Sequence, residues 1–597
     1  MCIPEKIKIA LAVPLVRVAD VDFNVLRIEN LIQEATDAEA RIVVFPELSI
    51  TGATCGDLFL HHLLVEKAHE GLKKLVNSTK SLDIVAVVGL PFALDNGLLY
   101  NVAVVFHKGD ILGVVPKNVL SYKDKRWFSE VQTIRTIDCL GKDVPFGKDF
   151  FDSYDVTFSV GVGNVSVKNA NLIFQISAKP TTINIDSFSF VGKTTAPLIT
   201  LSSGFGESST DGAFGGEITI SKEGKVLFNK MLASTKNEIF VTEIDIEHTP
   251  INDETTQCIV EKDEELLEKN LKPFPFIDEQ NLFSQCEKSL TIQHLGLATR
   301  LNRIGCKKVV VGISGGLDST LALLVCARAF DFLNIDRKGI IAITMPGFGT
   351  TGRTYQNALN LVRNIGATLK EIDIKKACLQ HFEDIGHDKN IHDVTYENTQ
   401  ARERTQILMD VANKENGLVV GTGDMSELAL GWATYNGDQM SMYGVNAGVP
   451  KTFIKPLVKH VAEQSNGELK RILLDIVDTP ISPELIPADE KGNIKQKTED
   501  LVGPYELHDF FMYYFLSYQL PPKTILKFAK KVFDGKYDET EIVKWLKTFI
   551  YRFFSQQYKR SCMPDGPKVF NISLSPREDL NLPSDAYFNL WLNDLEE

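Results

Sequence analysis

Apolar and polar positions follow two rhythms along this chain, and their alternation predicts an α/β protein in two parts. Residues 7–13 form an apolar run rich in β-branched side chains, which reads as a buried strand. Residues 24–35 switch to helical spacing. Further strand-like runs lie at 41–45, 84–90, 101–106, 111–115, 156–162 and 172–176. Lys108-Gly109-Asp110 and Lys222-Glu223-Gly224 look like hairpin turns, the second inside 217–228. The stretch 184–197 is short and strand-like. From 285 the alternation becomes regular: helix to 304, strand 308–313, helix from 319, strand 339–345, helix 355–365, strand 368–374, helix 398–415 and strand 418–421. That order implies a parallel sheet with helices on both faces. Between the two parts, Glu247, Asp253, Glu254, Glu261, Asp263, Glu264 and Glu265 precede the proline-broken run Leu271-Lys-Pro-Phe-Pro-Phe276. The expected organisation is therefore a first domain over 1–245, a linker over 246–284 and a second domain over 285–597.

One turn in the second part carries chemistry. The strand Val309-Val-Val-Gly312-Ile runs into Ser314-Gly315-Gly316-Leu317-Asp318-Ser319-Thr320 and then into a helix. Glycines let backbone approach a ligand closely. A helix start offers free N–H groups to an anion. Ser314, Ser319 and Thr320 add hydroxyls. Asp318 would repel phosphates unless a metal intervenes, and Mg²⁺ between Asp318 and a pyrophosphate resolves the conflict. The lysine of a Walker loop is absent, and so is a GxGxxG dinucleotide fingerprint. A second turn, Gly421-Thr422-Gly-Asp424-Met-Ser426-Glu427, again follows a strand and opens a helix. It places Thr422 toward a triphosphate and Glu427 as a second Mg²⁺ ligand. Trp432 and Tyr435 offer flat faces to an aromatic ring. On the helix 398–415, Asn398 and Arg402 stack along one side, as do Gln400 and Arg404.

Composition removes alternatives. A formal net charge of −14 disfavours nucleic acid as a partner. Residues 9–16 are too short for a signal-peptide core and run into Arg17 and Asp20, and no run approaches a membrane span. Nine cysteines without a CxxC pair fit a reduced, cytoplasmic setting.

The Ser-Gly-Gly-x-Asp-Ser arrangement resembles the PP-loop of the ATP pyrophosphatase superfamily, whose members include GMP synthetase, asparagine synthetase and tRNA-thiolating enzymes. Longer runs narrow the resemblance. Gly421 to Tyr435, Asp438-Gln439-Met440, Asn446-Ala-Gly-Val-Pro450-Lys451-Thr452, Gly503-Pro-Tyr-Glu-Leu-His508-Asp509 and Tyr558-Lys559-Arg560-Ser561 are similar to glutamine-dependent NAD synthetases, especially their larger bacterial branch. The resemblance implies a doubly wound PP-loop domain that uses ATP and Mg²⁺. Such a domain adenylates nicotinic acid adenine dinucleotide (deamido-NAD) and amidates it to NAD. By the same resemblance, Gly312, Ser314, Gly315, Gly316, Asp318, Ser319, Met345, Arg402 and Thr422 serve ATP. Asn398, Glu427, Trp432, Thr434, Tyr435 and Lys559 serve deamido-NAD. Asp318 and Glu427 hold the metal, with Lys451 completing the catalytic set. A homo-oligomer is implied as well.

Residues 1–245 resemble a nitrilase-like glutaminase domain, an α/β sandwich whose Glu, Lys and Cys release ammonia from glutamine. Glu47 in Phe-Pro-Glu47-Leu-Ser and Lys117 in Val-Val-Pro-Lys117 match the first two, and Lys125-Arg126-Trp127-Phe128 and Gly206-Glu207-Ser208 also fit. The family's cysteine follows a strand, as in Val-x-Ile-Cys-Glu-Asp. Here the strand 158–162 leads to Gly163-Asn164-Val165-Ser166, and no cysteine lies between Cys139 and Cys258. Ser166, Cys55 and Cys139 are weak substitutes. The expectation is a degenerate glutaminase domain, with free ammonia as the nitrogen source. The alternatives are a glutamine-dependent enzyme whose nucleophile is unrecognised, and a non-catalytic NAD-pathway scaffold.

Overall fold

The computed structural model describes residues 6–131, 135–154, 156–163, 170–184, 196–246, 264–350, 352–479 and 501–596. Its contacts cluster into two compact units.

The first unit has two sheets. The larger contains β1 (Lys6–Val13), β2 (Ile42–Val44), β3 (Val85–Ala93), β4 (Leu99–His107), β5 (Asp110–Pro116), β6 (Arg135–Cys139) and β7 (Lys142–Phe146). The smaller contains β8 (Phe150–Ser153), β9 (Val156–Val162), β10 (Leu172–Ser177), β11 (Leu198–Ser202), β12 (Glu217–Lys222) and β13 (Lys225–Met231), and β14 (Glu238–Asp245) returns to the larger. The orders are β14-β1-β2-β3-β4-β5-β7-β6 and β13-β12-β11-β10-β9-β8. Helices α1 (Val21–Asp37) and α2 (His62–Ser78) cover the outer face of the larger sheet. Burial on both faces explains the near-continuous apolar runs. Along β1, Ile7, Ile9, Leu11 and Val13 enter the core between the sheets, and Ala10 and Ala12 face the helices. α1 buries Val21, Val25, Ile28, Ile32 and Ala35 at helical spacing, and Asp20 caps it by accepting from the Phe23 N–H. Of the expected strand-like stretch 184–197, residues 185–195 lie outside the described residues, and β11 begins at Leu198.

The second unit includes α3 (Glu264–Lys269). Its sheet holds β15 (Val309–Gly312), β16 (Ile340–Thr344), β17 (Thr368–Glu371), β18 (Leu418–Gly421) and β19 (Tyr443–Gly444). Every pairing is parallel and the order is β17-β16-β15-β18-β19. Around it lie α4 (Leu282–Ile304), α5 (Leu317–Phe332), α6 (Gly352–Ile365), α7 (Lys375–Ile385), α8 (Val394–Glu415), α9 (Met425–Leu430), α10 (Lys451–Gln464) and α11 (Gly467–Val477). Helices Tyr505–Ser517, Pro522–Val532, Glu539–Ser555, Gln557–Ser561 and Asn589–Asn593 complete it. Strand order reverses between β15 and β18, the point at which doubly wound sheets bind ligands.

Two expectations about the boundary change. The described part of the segment read as a linker is structured: Phe276 is fully buried against Tyr513 and Phe570, and its carbonyl accepts from Gln285 Nε2 at 2.9 Å. Burying such a ring is worth about 1.5–3 kcal/mol, enough to hold the chain on the second unit. Ser209–Gly212, inside the expected first domain, also clusters with the second unit, where the Asp211 carboxylate accepts from Ser575 and Arg577. Short polar segments with distant partners carry no periodic signal.

Glu287 ties three helices of this unit. It accepts both Arg328 Nη groups at 2.9 and 3.0 Å and lies 2.6 Å from His460 Nε2. Hydrogen bonds from Arg328, the largest influence, hold its carboxyl down at about 2. An acid depressed on folding stabilises the protein above its unfolded value, and loses that contribution as pH falls through the folded one. The melting temperature is therefore expected to drop between about pH 4.5 and 2 partly through Glu287, and E287Q to show a shallower acid limb in a pH series of thermal melts. No helix among the described residues is long and apolar enough to cross a membrane.

Candidate active site

A cavity of ≈ 360 Å³ opens at the reversal point, lined by the Gly312–Ser319 loop after β15, by Val419–Thr422 from β18, and by Glu427, Trp432 and Lys451. In the glycine turn, Ser314 Oγ accepts from the Gly316 N–H at 3.2 Å and lies 3.2 Å from Ser319 Oγ. Ser319 Oγ also donates to the Gly316 carbonyl. The hydroxyls thus preform the turn that opens α5. Gly315 has φ +90°, and a Cβ there would lie 2.1 Å from the Thr354 carbonyl oxygen. Thr320 is fully buried and donates to the Gly316 carbonyl at 2.8 Å, so it does not line the cavity as its sequence position suggested.

The centre of the site is a charge cluster. Lys451 Nζ lies 2.8 Å from Asp318 Oδ2, 3.0 Å from Asp424 Oδ2 and 2.9 Å from Glu427 Oε1. Carboxylate oxygens of the three acids lie within 4.8 Å of one another, a spacing that suits a metal ion. Asp318 Oδ1 is buried without a hydrogen-bond partner among the described residues. Burial, then the neighbouring Glu427, pushes the Asp424 carboxyl well above its ordinary range. Burial also raises Glu427, against the opposing pull of Lys451. For Lys451, burial favours loss of the proton, but the three acids together outweigh it and hold the ammonium well above its usual value.

Local sequence builds this cluster. Asp424 caps α9 by accepting from the Glu427 N–H at 2.9 Å, while Glu427 Oε2 faces the Asp424 N–H in a capping box. Buried Asp509 accepts from Ser426 Oγ and, at 3.0 Å, from the Thr452 N–H, and Ser426 Oγ accepts from the Lys451 N–H at 2.8 Å. Asn446 Nδ2 donates to the carbonyls of Asp318 at 2.9 Å and Thr422 at 3.0 Å, stitching the two loops together. Asp424, Asn446 and Asp509 stand within the motif runs of the sequence but were given no role there. The Asp-x-x-Glu capping pattern after a strand could have flagged Asp424, whereas the other two act across more than 20 residues.

The residues assigned to the dinucleotide also gather. Asn398 Oδ1 accepts from Thr434 Oγ1 at 2.7 Å, and Arg402 Nε donates to the Tyr435 carbonyl at 3.3 Å. Tyr435 faces Tyr558 with ring centroids 5.4 Å apart. Met345 lines the cavity. Arg402, expected on ATP, is exposed and outside the lining; Arg404 lies there instead and donates to the Met345 carbonyl. Lys559, expected on the dinucleotide, spends its ammonium on the carbonyls of Gly431 and Ala433 at 2.8 and 2.7 Å.

In the first unit, Glu47 is 3% exposed and its Oε1 accepts from Lys117 Nζ at 2.8 Å and Asn101 Nδ2 at 2.6 Å. Lys117 also reaches Asp124 at 3.1 Å. β9 leads into Gly163 beside this pair, where a Cβ would lie 2.5 Å from Lys117 Cε and 3.2 Å from its Nζ. The lysine methylene occupies the room a side chain would need. Burial pushes the Cys55 and Cys139 thiols up to about 12, so both are neutral and unsuited to attack. Cys55 is further committed to the Thr51 and Gly52 carbonyls. Ser166 lies outside the described residues.

Comparison with known proteins agrees with this division. The NAD synthase family model matches residues 290–528, and the carbon-nitrogen hydrolase family model matches residues 8–164. A glutamine-dependent NAD(+) synthetase of Mycobacterium leprae is 34% identical over 97% of this chain and 96% of its own length. That of Aquifex aeolicus is 26% identical over 92% and 94%. The crystal structure of a glutamine-dependent NAD(+) synthetase from Cytophaga hutchinsonii has a TM-score of 0.78 at 21% identity, covering 99% of this chain and 100% of that one. The Acinetobacter baumannii enzyme, in complex with adenosine diphosphate, gives 0.61 at 20%, covering 97% and 98%, so both share the fold.

Proposed function

We propose the following reaction for this chain, which belongs to the glutamine-dependent NAD(+) synthetase family and is therefore a carbon–nitrogen ligase: ATP adenylates the nicotinate carboxylate of deamido-NAD, and free ammonia displaces AMP to give NAD. The observation that carries it is the Asp318–Asp424–Glu427–Lys451 cluster at the mouth of a parallel sheet, beside a glycine loop.

The carboxylate oxygen attacks the α-phosphorus and pyrophosphate leaves; ammonia then adds to the acyl carbon, AMP leaves and a proton is lost. The donor set fits Mg²⁺: hard oxygens, partly buried, with Asp318 Oδ1 unclaimed among the described residues. Bound there, Mg²⁺ would offset charge on the phosphates. The chain's own contribution is preorganisation. Loop N–H groups at the start of α5 line the cavity where the phosphates would sit, and the Lys451 ammonium holds the three acids together beside it. Trp432 covers the aromatic ring, and Asn398 holds Thr434, and hence the Trp432–Tyr435 turn, in place. ATP and Mg²⁺ are thus the cofactors of this reading.

The choice of ammonia rests on the first unit. The partners of Glu47 and Lys117 among the described residues include no thiol, and the backbone position beside them is Gly163. Use of glutamine is the second reading, favoured by the intact Glu47–Lys117 pair and by the names of the relatives. The assay supplies ATP, Mg²⁺ and deamido-NAD with either ammonium chloride or ammonia-free glutamine, and follows NAD by a coupled dehydrogenase. Product from ammonium is expected, with none above the blank from glutamine. Equal rates from glutamine would establish the second reading, and no product from either would leave a non-catalytic scaffold.

A further inference from the structure

Arg560 is fully buried, the largest such side chain in the described structure, and no carboxylate among the described residues pairs with it. A buried, unpaired cation is costly, so the fold must satisfy it in another way. It does so with carbonyls. Nη1 donates to Leu428 O at 3.1 Å and Ala429 O at 2.8 Å, Nη2 donates to Phe553 O, and Nε donates to Gln557 Oε1 at 2.8 Å. The guanidinium also lies over the Phe553 ring, 4.4 Å from its centroid. Burial lowers its proton affinity to about 9, which still leaves it charged at neutral pH.

Leu428 and Ala429 belong to α9, the six-residue helix that carries Glu427 and is capped by Asp424. The last carbonyls of a helix have no partner within it and form its negative end. Arg560 does not act alone there. Arg552 Nε donates to Leu430 O at 2.9 Å with its guanidinium over Trp432, and Lys559 holds Gly431 O and Ala433 O. Three cations therefore clamp the carbonyl end of one short helix. Its other end supplies two of the three clustered acids, and the chain leaving it supplies Trp432.

We infer that this clamp, centred on Arg560, is a positioning device for the synthetase site: it sets where Glu427 meets the metal and phosphates and where Trp432 meets the dinucleotide ring. The inference rests on the synthetase reading above. Donation from one planar group to three carbonyls and the Gln557 amide oxygen fits the fork of a guanidinium and not the compact ammonium of a lysine. R560K is thus the informative variant: it keeps charge and approximate length but not the fork.

The experiment measures two affinities apart from turnover. Mn²⁺ binding in the presence of a non-hydrolysable ATP analogue is followed by electron paramagnetic resonance, and deamido-NAD binding without metal by calorimetry. Folding is checked by circular dichroism. R560K is expected to weaken Mn²⁺ binding by about 10- to 100-fold, the usual effect of losing a group that orients a metal ligand, and to weaken the dinucleotide as well. R552Q should shift both in the same direction, by less. A folded R560K with wild-type affinities overturns the inference. Should R560K fail to fold, R552Q decides, and unchanged affinities there overturn it equally. If the wild-type protein binds neither probe, the synthetase reading fails instead, which is a distinguishable result.

Discussion

Lys451→Met is expected to abolish NAD formation and to cost the second unit about 3–5 kcal/mol, the usual penalty for removing one partner of a buried ion cluster. The ammonium touches three carboxylates between 2.8 and 3.0 Å, and its side chain is only 6% exposed. Without it, three acids whose ligand atoms fall within 4.8 Å would face one another. The variant should therefore melt earlier than the wild type and regain more stability on addition of Mg²⁺, because a divalent cation offsets the repulsion the lysine had balanced. Thermal melts with and without Mg²⁺ read this directly. Equal melting and a retained turnover number would show that the cluster does not depend on the lysine.

Gly315→Ala is expected to lower ATP-dependent turnover by about 100-fold or more, from the misplacement of a single loop. The residue sits at φ +90°, and an added methyl would meet the Thr354 carbonyl oxygen at 2.1 Å and its carbon at 2.8 Å. Thr354 lies in the first turn of α6, so backbone must give way on one side or the other. The backbone strain alone is of order 1–3 kcal/mol. ATP–pyrophosphate exchange isolates the first half-reaction and would locate the defect there. Normal exchange in the variant would mean that the loop can accept a side chain and is not held against α6.

Much of this was legible because it is local. The turn Ser314-Gly315-Gly316 with Asp318 is read within a few residues, and its position after a buried strand fixes which end of the sheet it occupies. The parallel sheet of the second unit followed from helices alternating with apolar runs. The first unit was less legible. Helix His62–Ser78 was not among the expected elements, although Leu64, Ala68, Leu72 and Leu75 repeat at helical spacing. Strands β6 to β8 are short, and Pro145 interrupts the pattern of β7. β14 exists because it pairs with β1, more than 200 residues away, and only the fold brings the two together. Within the site, Arg404 rather than Arg402 lines the cavity. Periodicity placed both on α8 but could not say which face looks inward until the sheet beneath it was known.

The pairing of β1 with β14 bears on how the first unit holds its two ends together. β1 lies between β2 and β14, so the opening and closing segments of the first unit are zipped side by side in one sheet. Trimming the closing strand β14 would bare the long, apolar edge of β1, which invites aggregation. The tight turn at Lys108-Gly109, by contrast, is the place where the chain could be reopened and its old ends joined.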